Sequence, residues 1–151
     1  MMKKILETRV SNRPGVLDRI VGLIRRRGWN IGSLTVGELD GSITQITMLL
    51  EGRDIDIDSL GEYLDEMDAV HSWRTLTEQA DVLRELLLFC MPDGQAVPEG
   101  ARVIRAQGGV QYCEVTDMPS GIDTRVQALH AQGISCVRSG PLPYYAGGED
   151  A

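Results

Sequence analysis

Two histidines, three cysteines, one phenylalanine and two tryptophans are all that this 151-residue chain holds of those residue types. Each scarcity narrows the function. Metal sites built on sulfur and nitrogen draw on ligands in close pairs. Cys90, Cys113 and Cys136 instead fall in three separate predicted strands, with no CxxC and no neighbouring histidine. They are expected to be buried free thiols, and an odd number of cysteines suits a reducing compartment. Neither His71 nor His130 lies near a serine or cysteine in a nucleophile motif, so no catalytic set is legible. No apolar run is long enough to span a bilayer. Met1-Met2-Lys3-Lys4 leads into a strand charged at Glu7 and Arg9, not into a signal-peptide core. The expectation is a cytoplasmic protein with no membrane partner.

An excess of positive charge is also missing. Fifteen Lys and Arg stand against 22 Asp and Glu, for a net charge of −7, which disfavours nucleic acid as a partner. The one basic run, Arg25-Arg26-Arg27, falls in the last turn of a predicted helix, where cations offset the dipole, and reads as a solvated helix end. Gly-rich phosphate signatures are absent, because Gly28-x-x-x-Gly32 precedes a strand and not a helix. Asp54, Asp56, Asp58 and Glu62 gather near the start of another helix, where the dipole favours acids, so no metal is expected there. Trp29 and Trp73 are expected to pack in the interior.

What is present is a periodic pattern. Lys3 to Ser11 reads as a strand, with Leu6, Thr8 and Val10 toward helices and Glu7 and Arg9 toward water. Pro14 to Arg27 reads as a helix whose stripe is Val16, Leu17, Ile20, Val21, Leu23 and Ile24, stopped by Gly28. Asn30 to Leu39 and Ser42 to Glu51 are two strands joined at Asp40-Gly41, both tolerant of positive φ. A helix over Asp58 to Met67 buries Leu60, Leu64 and Met67, and Ala69 to Thr77 is a fourth strand. The order βαββαβ implies an antiparallel α+β sheet with two helices on one face, the ferredoxin-like plan. The first domain is expected at 1–78.

The second, at 79–145, reads as a shortened version. Val82 to Met91 is a strongly apolar run expected as a buried strand. Pro92 to Gly100 is a broken loop in place of a first helix. Ala101 to Ala106 and Val110 to Thr116 flank Gly108-Gly109 as a hairpin, with a helix over Pro98 to Gln107 as the competing possibility. A helix over Pro119 to Gln132 carries Ile122, Val126, Leu129 and His130 on one side, and Ile134 to Ser139 ends the domain. A loose stretch from Pro141 leads into a tail at 146–151.

The candidate site lies at the start of the first helix. Pro14 suits the first helical position because it has no amide to leave unpaired, and Gly15 has no Cβ to keep a ligand from the backbone. The amides of Gly15, Val16 and Leu17 have no partner inside the helix and suit a carboxylate. Asn12 adds a side-chain amide, the Asn30 carbonyl oxygen suits an ammonium group, and Ile31 and Leu34 offer apolar surface. Edge-to-edge pairing of two copies would hide an unpaired strand edge and bring Asn12 to Leu17 of one against Asn30 and Ile31 of the other.

The stretch Asn12-Arg13-Pro14-Gly15-Val16-Leu17 in this element order resembles an ACT domain. The longer run NRPGVLDRIVGLIRRRGWNIGSLTVG, followed by Gln45-Ile46-Thr47-Met48, resembles the small regulatory subunits of acetolactate synthase over Lys3 to Thr77. The resemblance implies a non-catalytic homodimer that binds valine or a related branched-chain amino acid between two ACT domains. It places Asn12, Gly15, Val16 and Leu17 on the ligand's polar end, with Asn30 and Ile31 closing from the other chain. It also implies a catalytic partner subunit that carries thiamine diphosphate, Mg and FAD, with no cofactor in this chain. Beyond Thr77 the resemblance holds only near Val82 and at Arg138-Ser139-Gly140. A stand-alone ACT-type sensor acting on another enzyme, and a small enzyme of ferredoxin-like fold, are the other readings.

Overall fold

The computed structural model describes residues 1–144; the expected tail at 146–151 lies outside them. The chain divides into two units, Met1–Val82 together with the residues from Pro143, and Leu83–Leu142. No described helix is long and apolar enough to cross a membrane.

The first unit runs β1 (Met2–Ser11), α1 (Val16–Arg26), β2 (Asn30–Asp40), β3 (Ile43–Gly52), α2 (Ile57–Asp65) and β4 (Val70–Leu76). Its sheet has the order β2-β3-β1-β4 with every pair antiparallel, which is the ferredoxin-like plan. Alternation along the strands sends Leu6, Thr8 and Val10 of β1 to the same face as Ile46, Met48 and Leu50 of β3, with Leu6 opposite Met48. On that face α1 lays Val16, Ile20, Leu23 and Ile24, and α2 lays Ile57, Leu60 and Leu64. The closest fit is at Gly61, where a Cβ would stand 2.0 Å from the Trp73 ring. Only a residue without a side chain lets α2 lie this close to β4.

Several local expectations for this unit are corrected. Glu7 is buried, not wetted, because Arg9 and Arg74 stand at 3.3 and 2.8 Å from its carboxylate and compensate its charge. Helix α1 starts at Val16, so Pro14 lies in the preceding turn and not at the first helical position. Arg27 is not a solvated helix end. It donates to the carbonyls of Leu23 and Ser59 and stacks over Tyr63 at 4.7 Å, tying α1 to α2. The β2–β3 turn residues are Gly41 and Ser42, and Gly41 stays out of the left-handed region. The Asp40 carboxylate shapes that turn by accepting from the Ser42 amide at 2.7 Å, the Ser42 hydroxyl at 2.8 Å and the Ile43 amide at 3.0 Å. Those bonds, the Ser42 amide first, hold its carboxyl below the usual carboxylate range.

The second unit runs β5 (Leu83–Pro92), β6 (Arg102–Gln107), β7 (Val110–Asp117), α3 (Pro119–Ala131) and β8 (Cys136–Arg138). Its strands lie in the order β6-β7-β5-β8, so they stand where β2, β3, β1 and β4 stand in the first sheet. One helix covers the face. The rest of the cover comes from the loop after β5, whose Val97 and Ala101 pack on a core of Leu87, Phe89, Met91, Cys113, Val115, Ile122 and Leu129. Gly108 and Gly109, at φ 65 and 81°, form the two-residue turn that β6 and β7 require, and Val103 and Ile104 are in a strand, not the competing helix. Strand β5 is buried on one face only, and Leu88 and Cys90 are exposed on the other. Of the three thiols only Cys113 is buried, while Cys136 is half-buried and Cys90 exposed. His130 is an exposed helix residue. The stretch after Pro141 is not wholly loose, since Leu142–Pro143 forms a short strand, β9.

Candidate functional site

The turn between β1 and α1 is held at both sides by main-chain bonds. The Ser11 amide donates to the Ala69 carbonyl and the Asn12 amide to the Ser42 carbonyl, each at 2.8 Å. Asp40 therefore sets Ser42, and Ser42 sets Asn12. At Gly15 the chain turns through φ 86°, a left-handed conformation that costs a residue with a Cβ roughly 1–2 kcal/mol. A Cβ there would meet no protein atom within 4 Å. The backbone angle calls for glycine here, and open space remains above it.

Helix α1 has no side-chain cap, and its first i→i−4 bond runs from the Arg19 amide to the Gly15 carbonyl. The amides of Val16, Leu17 and Asp18 thus precede the hydrogen-bonded ladder and end α1 with donors. Val16 is buried and Leu17 packs partly against the core, which fixes the direction of those donors, while Asn12, Arg13, Pro14 and Gly15 are exposed. Asp18 adds a negative charge in the first turn, so an anion here is received by hydrogen bonds more than by net charge.

Asn30 opens β2. Its Nδ2 donates to Glu51 Oε2 at 3.2 Å, and Lys3 stands 3.2 Å from the other carboxylate oxygen. A carboxylate only accepts, which settles the rotation of the Asn30 amide and turns its carbonyl oxygen away as an acceptor. Ile31 packs on the core beside it. Within one chain these residues do not meet the Asn12-to-Leu17 turn. Asn30 pairs with Glu51 at one end of β3, whereas Ser11 pairs with Ile43 at the other, a separation of roughly 25 Å along the strand. Among the described residues strand β2 pairs only with β3 and so forms an edge of the sheet, on which Leu34, Val36 and Leu39 are exposed.

Both histidines stand beside a nucleophilic side chain, which their sequence neighbours did not reveal. Ser11 Oγ and His71 Nε2 are 2.9 Å apart, and Cys136 Sγ and His130 Nε2 are 3.6 Å apart. Neither ring has a carboxylate partner among the described contacts, so neither pair has the third group that orients a catalytic base. Glu51, which sets Asn30 from 21 residues away, also carried no local signal.

A ferredoxin-like unit with an uncapped helix start after β1 has the plan expected of an ACT-type domain, and the family model of AHAS small subunit-like ACT domains matches residues 6–72. A probable acetolactate synthase small subunit of Methanothermobacter thermautotrophicus is 31% identical over 91% of this chain and 89% of its own length. The acetolactate synthase small subunit of Bacillus subtilis is 30% identical over 97% of this chain and 92% of its own length. A crystal structure of an acetolactate synthase small subunit from Thermotoga maritima has the same fold, with TM-score 0.77 at 20% identity over 97% of this chain and 100% of that one. The chain belongs to the acetolactate synthase small subunit family. The likeness is not confined to the first half, as the motifs suggested, but runs through the second unit.

Proposed function

We propose that this chain is the regulatory subunit of an acetolactate synthase, and that its first unit senses a branched-chain amino acid, valine foremost, at an interface between two copies. The observation that carries this reading is the separation of Asn12–Leu17 from Asn30–Ile31 at opposite ends of one sheet. Antiparallel pairing of β2 with β2 of a second copy reverses the partner end for end. It carries the partner's Asn30 and Ile31 toward the open start of α1 and covers the apolar edge at the same time. The ligand carboxylate then lies on the amides of Gly15, Val16 and Leu17 with Asn12 beside it. Its ammonium meets the Asn30 carbonyl oxygen, and its side chain meets Ile31 and Leu34. A zwitterion suits an end that already holds Asp18.

A ligand shared by two chains binds the dimer more tightly than the monomer, so occupancy and assembly are coupled. The chain does no chemistry itself. It passes that coupling to a catalytic subunit that holds thiamine diphosphate, Mg and FAD, and lowers flux into branched-chain amino acids when they are plentiful.

Calorimetric titration with valine, isoleucine and leucine tests the sensor, and absence of heat with all three rejects it. Gly15→Asp sets a carboxylate against that of the ligand and Asn30→His fills the pocket. Each is expected to abolish the response with the far-UV spectrum unchanged, and a normal response in both means the site lies elsewhere. Mixing with a thiamine-diphosphate enzyme is expected to make that enzyme valine-sensitive. Binding of valine without that transfer favours a stand-alone sensor acting on another enzyme.

A further inference from the structure

All three cysteines, each free, are among the residues that line one cavity of about 660 Å³ in the second unit, together with Leu88, Tyr112, Ile134 and Val137. Their surroundings differ. Cys113 is buried, and that burial pushes its thiol up. Cys90 is exposed with no basic side chain among its described contacts. Cys136 alone combines partial exposure with a base, His130 Nε2 at 3.6 Å. His130 projects from the last turn of α3. The thiolate, not the thiol, is the nucleophile, so a base within reach of the sulfur prepares it for attack.

We infer that Cys136 and His130 form a reactive-thiol site that exchanges with low-molecular-weight disulfides entering through this cavity. His130 Nε2 takes the Cys136 proton, and the Cys136 sulfur attacks one sulfur of the disulfide. One sulfur–sulfur bond forms, joining Cys136 to half of the reagent, and the reagent's own sulfur–sulfur bond breaks. The departing thiolate recovers the proton from His130. Cys136 is oxidised, and the released half of the reagent is reduced to a thiol. The adduct sits opposite Phe89 on β8, a strand of only three residues. This site is independent of the amino-acid site in the first unit.

The test uses the full reduced chain with oxidised glutathione, followed by intact mass and peptide mapping against time between pH 6 and 9. Cys136 is expected to be modified first, ahead of the more exposed Cys90. His130→Gln, at an exposed position, is expected to slow modification of Cys136 about tenfold at pH 7 and leave Cys90 unchanged. Modification of Cys90 first, or a Cys136 rate that His130→Gln does not alter, overturns the inference. Circular dichroism of the variant checks that the fold is kept.

Discussion

Strands β1 and β5 hold the same place in their sheets, but β1 leads into a helix and β5 into a loop of prolines and glycines. For the core this difference matters little, because Val97 and Ala101 of the loop cover the face that α1 covers in the first unit. For binding it matters a great deal. A loop can bury apolar surface, but it does not align successive main-chain amides toward one point as a helix start does. The second unit keeps the architecture but has no helix start after its first strand, so the proposed amino-acid site is placed in the first unit. Each unit also buries one glutamate against an arginine of an outer strand: Glu7 with Arg74 of β4, and Glu85 with Arg138 of β8. Glu7 has Arg9 as a second cation. Each of these arginines also serves a second acid, Arg74 reaching Asp81 and Arg138 reaching Asp123.

The units can be followed separately, because the chain has two tryptophans, Trp29 and Trp73, and both lie in the first unit. The largest effect is expected from Arg138→Met, which removes the ion pairs to both the buried Glu85 and Asp123 and costs about 3 kcal/mol. In urea the far-UV signal of the second unit is expected to fall early while tryptophan fluorescence holds its midpoint. A matching shift of both signals would show that the units unfold as one. Gly61→Ala is next, at about 2–3 kcal/mol, because its Cβ would stand 2.0 Å from the Trp73 ring; here the fluorescence transition moves. Arg74→Met is expected to cost the first unit about 1–2 kcal/mol, less than Arg138→Met, since Arg9 remains beside Glu7. Equal losses would remove the distinction between the two glutamates.

The smallest effect concerns pH. The Arg125 side chain, and then the Met118 amide, hold the Asp117 carboxyl below the usual carboxylate range. A depressed folded value contributes stability above the unfolded value of about 3.9, and that contribution fades as pH falls through the folded value. Asp117→Asn is expected to cost about 0.5–1 kcal/mol at pH 7, since the pair is partly solvated, and progressively less as the pH falls below about 3.9. Urea midpoints of the second unit across that range check the sign.

The candidate site was legible as far as its parts are local. The run Asn12 to Leu17 announces a turn and a helix start, and the structure keeps that meaning while moving the first helical residue from Pro14 to Val16. The role of Glu51 at Asn30 was not legible, because strand register and not sequence proximity brings them together. Glu7 and Arg27 were misread for a related reason. Charge in a single strand or helix turn suggests water, and only the neighbours across the sheet or the facing helix show that the charge is paired or stacked.

From the sequence alone came the order of strands and helices, the two similar sheets and the free start of α1, since periods of two and 3.6 and the signals of glycine and proline act within a few residues. The tertiary structure alone decided which residues meet across long separations: Ser11 with His71, Cys136 with His130, and Glu7 with Arg74. It also decided that Asn12 and Asn30 stand at opposite ends of one sheet. Those distances follow from register and from packing between elements, and a shift of one residue in a ladder would change each distance that crosses it.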